Sequence, residues 1–261
     1  MIHIVPDEKR VALAGTRLIR ALLRDHERSG HRPVTLVLSG GHTPRRVYEA
    51  IAGGKEDQIP WDHVRVLWGD ERCVPPDDER SNYRLAASTG LLSRFRTGVY
   101  RMPGELPPEE GAQVYEATLR DLLPASGLPR LDVVLLGLGD DGHVASLFPG
   151  SAALGECERL VVATEAHGGV RRLTLTLPVL TSAHNLLFLV TGEAKAEAVR
   201  LTLGEASSAV ASPPARLLVD MVKVKKLAGW ECPTVTWVLD KAAASRLPGR
   251  RPRLDGGSAH R

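Results

Sequence analysis

A chain of 261 residues, 43% hydrophobic and 25% charged, has the composition of an ordinary globular protein and a length that one α/β domain can accommodate. Its net charge of +3 suits an anionic small molecule and is too slight for a nucleic-acid surface, and no apolar run approaches the ~18 residues of a membrane span. Cys73, Cys157 and Cys232 are scattered without Cys-x-x-Cys spacing, and the amino terminus lacks a basic stretch followed by an apolar core, so a reducing, cytoplasmic setting is expected.

Residues 8–28 read as an amphipathic helix, because Val11, Ala14, Leu18 and Leu22 recur at spacings of three and four. Val34 to Leu38 is a short apolar run between Pro33 and Ser39-Gly40-Gly41, which predicts a buried strand. Thr43 and Pro44 then have the residue types of an N-cap and a first helical residue, opening a helix to about Ala52. Val64 to Trp68 is a strand that ends in Gly69-Asp70-Glu71-Arg72, and Ser81 caps a helix expected through Leu92. Leu131 to Leu138 is the most apolar strand and leads into Gly139-Asp140-Asp141-Gly142-His143. Leu173 to Leu177 and Asn185 to Val190 are further strands, the second followed by Thr191-Gly192 and a helix over 193–203. Val235 to Leu239 is the last strand, with Asp240 capping a short final helix. Residues 204–231 fit this alternation poorly. Strands alternating with helices predict an α/β, Rossmann-like, mostly parallel sheet with helices on both faces. A single domain over 1–247 and a disordered basic tail over 248–261 are expected.

Ligands of such sheets bind beyond the carboxyl ends of the strands, and four polar segments fall there. Ser39-Gly40-Gly41-His42-Thr43-Pro44 joins a strand to a helix, so it is either a plain turn or a phosphate cradle of backbone N–H groups and hydroxyls. The charges of Asp70, Glu71 and Arg72 are expensive to bury unless paired, and the Arg72 fork suits a carboxylate or phosphate. His143 follows a buried strand with two Asp residues close by, and a carboxylate beside an imidazole fixes its tautomer and suits it to general-base work. Gly137-x-Gly139-x-x-Gly142 also matches a dinucleotide fingerprint, but the helix that pattern needs is poorly supported here. Arg171-Arg172 and Lys195 supply cations near strand ends that can clamp a phosphate or stay solvated.

Together these segments are far more specific than any one alone. LSGGHTP (38–44), WGDERCVP (68–75) with SNY (81–83), GLGDDGHVASLFPG (137–150), RLTLTLPVL (172–180) and VTGEAKAEAV (190–199) resemble, in order, the 6-phosphogluconolactonase family, which shares its fold with the glucosamine-6-phosphate isomerase/deaminases. WVLDKAAA (237–244) resembles that family's closing segment. The resemblance implies hydrolysis of 6-phosphoglucono-δ-lactone to 6-phosphogluconate in the pentose phosphate pathway, with no covalent intermediate, cofactor or metal. It makes His143 the base that activates water, with Asp141, or alternatively Asp140, orienting it. Arg72 is expected on substrate oxygens, and Asp70 either on sugar hydroxyls or holding Arg72. Gly40, Gly41, Thr43, Asn82, Arg172 and Lys195 are expected to bind the substrate and its phosphate. The protein is expected to be a monomer or small homo-oligomer that binds neither nucleic acid nor membrane.

Two departures stand out. His42 replaces a small or hydroxyl residue and is left open between a phosphate contact and solvent, and Ala211 to Trp230 is longer and more basic than the family pattern. The nearest rival is an isomerase/deaminase. That family carries an Asp-Glu-Tyr segment at the second loop, where this chain has Asp70-Glu71-Arg72. A sugar-phosphate-sensing regulator is a third reading, but no helix-turn-helix segment is apparent.

Overall fold

Six strands come together as one parallel sheet: β1 (Ile2–Val5), β9 (Thr234–Asp240), β8 (Asn185–Val190), β5 (Val133–Leu136), β2 (Val34–Leu38) and β3 (Val64–Trp68), side by side in that order. This computed structural model describes residues 1–30, 33–54, 61–95, 98–123, 127–204 and 212–248. All but the first residue of the expected tail, and Ala211 of the basic stretch, lie outside the described residues. Every residue of β2 and β5 is buried, as a sheet covered on both faces requires. β5 is shorter than the run Leu131–Leu138 because the chain leaves the sheet at Gly137 to enter the site.

α1 (Glu8–Arg28) buries Val11, Gly15, Ile19 and Leu23, one notch round from the predicted stripe, while Ala14, Leu18 and Leu22 pack half-buried at its edge. A methyl group on Gly15 would meet Leu189 Cδ2 at 3.0 Å, so glycine here lets α1 lie close on β8. α2 (His42–Ala52) starts earlier than the Thr43 cap predicted. Gly41 occupies the cap with φ +105°, a conformation suited to glycine. Ser81 does cap α3 (Asn82–Ser88), accepting from Arg84 N at 3.1 Å. Gly90, at φ +79°, then breaks the chain before a separate 3-10 turn, so the single helix expected through Leu92 is two pieces.

β4 (Asp70–Arg72), β7 (Arg172–Leu175) and β6 (Val161–Ala163) form a second, antiparallel sheet, with Arg72 facing Arg172 in register. The expected turn after β3 is therefore a short strand, and the expected strand Leu173–Leu177 belongs to this smaller sheet. α4 (Pro108–Leu122) and α5 (Leu177–Ser182) were not anticipated. The predicted helix over 193–203 is a 3-10 turn followed by α6 (Ala196–Leu203). α7 (Pro214–Leu227) fills the stretch that fitted poorly. Asp240 caps Ala243 N at 2.7 Å as foreseen, but turns follow it rather than a helix.

β2 leads to β3 on one side, and β5 leads to β8 on the other. The crevice at that switch lies beyond the carboxyl ends of β2 and β5, the place where open α/β sheets bind ligands. Among the described residues no helix is long and apolar enough to cross a membrane.

Candidate active site

A cavity of about 320 Å³ opens at that crevice. Gly40, Gly41, Thr43, Asp70, Arg72, Asn82, His143, Arg172 and Lys195 all line it, so residues spread from position 40 to 195 converge on one space. Of the residues singled out from sequence, Asp140 and Asp141 stand just behind its wall, each bonded to a residue that lines it.

The glycine loop forms one side. A methyl on Gly40 would fall 1.9 Å from Asn82 Oδ1, so the loop lies flush against the start of α3 only because position 40 has no side chain. Thr43 Oγ1 is 2.7 Å from Thr191 Oγ1, tying this loop to the Gly192–Lys195 turn. His42 also lines the cavity, largely exposed, with its Nδ1 2.9 Å from Glu8 Oε1 at the start of α1.

The histidine loop forms the floor. Asp141 Oδ1 lies 2.6 Å from His143 Nδ1 and also accepts the His143 backbone N–H at 3.0 Å. A carboxylate only accepts, so Nδ1 carries a proton, which in the neutral ring leaves the lone pair on Nε2. Burial pushes the Asp141 carboxyl up, but the bonds from His143 outweigh it and hold the group below the usual carboxylate range, ionised at neutral pH. Asp140 turns the other way, 2.5 Å from Lys195 Nζ. Gly139 is what allows this packing, since a methyl there would stand 2.0 Å from His143 Nδ1. Beyond His143 the chain passes through Ala145 at φ +49°, a left-handed conformation that costs a side-chain-bearing residue about 1–3 kcal/mol. Phe148 supports the imidazole, with ring centroids 4.5 Å apart, and stacks in turn on His167 at 3.9 Å.

The second sheet supplies the third side. Asp70 is buried, and its carboxylate accepts from Ser146 Oγ at 2.6 Å and Asn82 Nδ2 at 3.3 Å rather than holding Arg72. Glu71, which the sequence reading left without a role, is only 2% exposed. It accepts the backbone N–H groups of Arg72, Asn82 and Tyr83 and the Ser81 hydroxyl, at 2.7 to 3.0 Å, so it ties β4 to the start of α3. Burial pushes its carboxyl up against the downward pull of those N–H donors. Glu71→Gln replaces one acceptor oxygen with a donor facing two of these groups. It is expected to lower stability by about 1–3 kcal/mol, read by urea unfolding. A loss under about 0.5 kcal/mol would remove Glu71 from this role.

Arg72 and Arg172 stand side by side, and each has a buried Nε without a hydrogen-bond partner. Burial, and then the charge of Arg72, pulls the Arg172 guanidinium below its usual value, though a guanidinium stays charged at any physiological pH. Two like charges held together at a cavity wall make that wall favourable to anionic oxygens of a ligand. Arg171 points elsewhere and pairs with Glu109 at 2.5 Å. Of Arg171 and Arg172, only Arg172, the first residue of β7, lines the cavity.

Residues 6–226 match the family of glucosamine-6-phosphate isomerases/6-phosphogluconolactonase. The 6-phosphogluconolactonase of Synechocystis sp. is 37% identical over 82% of this chain and 84% of its own. That of Nostoc sp. is 34% identical over 94% and 98%. The solved structure of the 6-phosphogluconolactonase from Trypanosoma brucei superposes with a TM-score of 0.81 at 30% identity, covering 95% of this chain and 98% of that one. On the extent of the match, and on loops that converge at the same switch of the sheet, the chain belongs to the glucosamine-6-phosphate isomerase/6-phosphogluconolactonase family.

Proposed function

We propose that the chain hydrolyses 6-phosphoglucono-δ-lactone to 6-phosphogluconate, the lactonase step of the pentose phosphate pathway, with His143 as general base. The observation that carries this reading is His143, paired with Asp141 at 2.6 Å, lining a cavity to which Arg72, Arg172, Lys195 and the glycine loop also contribute. His143 Nε2 takes a proton from water as the water oxygen attacks the lactone carbonyl. The bond from that carbon to the ring oxygen then breaks, the imidazolium returns the proton to the ring oxygen, and the carboxylic acid so formed releases its remaining proton to solvent and leaves as a carboxylate. No bond to the protein forms. Asp141 holds the ring and stabilises the imidazolium. Arg72 meets the developing oxyanion, while Gly40, Gly41, Thr43, Arg172 and Lys195 hold the remote phosphate, so that binding there orients the lactone. Asp70 and Asn82, bonded to each other, stand beside the sugar hydroxyls.

The isomerase/deaminase activity of the same broad family needs acid–base groups for ring opening and proton transfer at carbon 2. An assay that follows lactone hydrolysis and ammonia release from glucosamine 6-phosphate separately distinguishes them. Lactone loss above the spontaneous rate without ammonia supports the lactonase, and ammonia release without lactone turnover overturns it. Lys195→Ala is expected to raise KM for the phosphorylated lactone by about tenfold or more and to leave the unphosphorylated lactone unaffected. Equal effects on the two lactones would remove Lys195 from phosphate binding.

A further inference from the structure

Two buried tyrosines make the same contact at neighbouring strand ends. The Tyr48 hydroxyl, on α2, accepts from Ser39 N–H at 2.9 Å and donates to Ser39 C=O at 2.7 Å. The Tyr115 hydroxyl, on α4, accepts from Trp68 N–H at 2.8 Å and donates to Trp68 C=O at 3.1 Å. The two sites stand next to each other, since Leu38 and Trp68 are partners across β2 and β3. Ser39 and Trp68 are each followed by a glycine: Gly40 lines the cavity, and Gly69 leads into Asp70, which lines it too. Burial pushes both phenols up, so both remain neutral, able to donate and accept at once. Packing explains the rings, which a phenylalanine would supply equally. It does not explain why each hydroxyl takes both polar groups of one backbone residue at the edge of the site. A buried N–H and C=O must find partners, and here a single oxygen fixes where both of them point.

We propose that these hydroxyls are positioning groups with divided roles: Tyr48 sets the phosphate-gripping turn that begins at Gly40, and Tyr115 sets the arm from Gly69 that carries Asp70 and Arg72. This rests on the reading of the two ends of the cavity given above. Tyr48→Phe is expected to raise KM for the phosphorylated lactone by about tenfold, leave kcat within about twofold, and leave KM for the unphosphorylated lactone unchanged. Inorganic phosphate, titrated by calorimetry, should bind Tyr48→Phe about tenfold more weakly than wild type. Tyr115→Phe is expected to lower kcat by about tenfold while the preference for the phosphorylated lactone and the affinity for inorganic phosphate are kept. Two variants with lowered thermal midpoints but unchanged phosphate affinity and kinetics would reduce both tyrosines to structural residues and overturn the proposal, as would equal effects of the two changes on kcat and phosphate binding. Should Tyr48→Phe be too unstable to assay, Tyr115→Phe decides alone, by loss of kcat with the preference kept or by no change. A wild-type protein that binds inorganic phosphate but shows no preference between the lactones would instead fail the functional reading, and the calorimetric comparison would still judge Tyr48.

Discussion

Replacing His143 with alanine is expected to lower kcat by ~10²–10⁴-fold and to leave the affinity for inorganic phosphate within about twofold of wild type. In the proposed reaction the imidazole, held by Asp141 at 2.6 Å, is the group that takes the proton from water, so its removal should strike the chemical step. The cations and the glycine loop are separate from it in the chain and keep their own contacts: Lys195 with Asp140, Thr43 with Thr191, Gly40 against Asn82. Binding and chemistry should therefore come apart. The measurement is lactone hydrolysis corrected for the spontaneous reaction, together with phosphate titration of the folded variant. A loss below about tenfold in kcat would take His143 out of the mechanism.

Gly139→Ala should inactivate the protein without unfolding it. A methyl at position 139 stands 2.0 Å from His143 Nδ1, 2.3 Å from its Cε1 and 2.6 Å from Asp141 Oδ1. The backbone there is not left-handed, so alanine is tolerated by the chain and only the imidazole and its carboxylate must move. The His143 ring is also held by Phe148 on one face, which limits where it can go. Misplacing a reacting group by about 1 Å reduces rate by about 10²-fold, and a loss of that order is expected here. Thermal unfolding should shift by no more than a few degrees, since the strained atoms are partly solvent-exposed. A variant with wild-type turnover would show that the contact between Gly139 and the His143–Asp141 pair does not set the geometry of the base.

What the sequence made legible follows from what determines each feature. β2, β3 and β8 were read with their limits because a buried parallel strand is an unbroken apolar run, bounded here by proline, glycine or charge. β1 escaped because four half-buried residues at the sheet edge carry no such run. α4 escaped because its buried face, Gly111, Ala112, Tyr115 and Leu119, is built partly from small residues that do not read as an apolar stripe. α7 was obscured for the opposite reason. Leu218, Val219 and Val222 are buried while Met221, Val224 and Leu227 are exposed, so apolar residues occur all round it.

At the site, the convergence of the glycine loop, the charged turn and the histidine loop followed from their places at strand ends. Which aspartate meets His143 did not, because neighbouring residues in a tight loop point to opposite sides, and only the distances separate Asp141 from Asp140. The partners of Asp70 were equally hidden, since Ser146 lies 76 positions further along the chain. Glu71 could have been suspected from its position between two residues already under suspicion. A carboxylate buried that deeply needs several donors, and the free N–H groups at the start of α3 were available to supply them.

The central claim is that the imidazole at position 143 acts as a base on water, and chemical rescue tests it most directly. Alanine at 143 leaves room beside Asp141 for a free imidazole. Hydrolysis by His143→Ala should rise with added imidazole, above a protein-free control containing the same imidazole, and should not rise with a non-basic ring of the same shape. A His143→Ala protein that hydrolyses the phosphorylated lactone at the wild-type rate with no base added would contradict it.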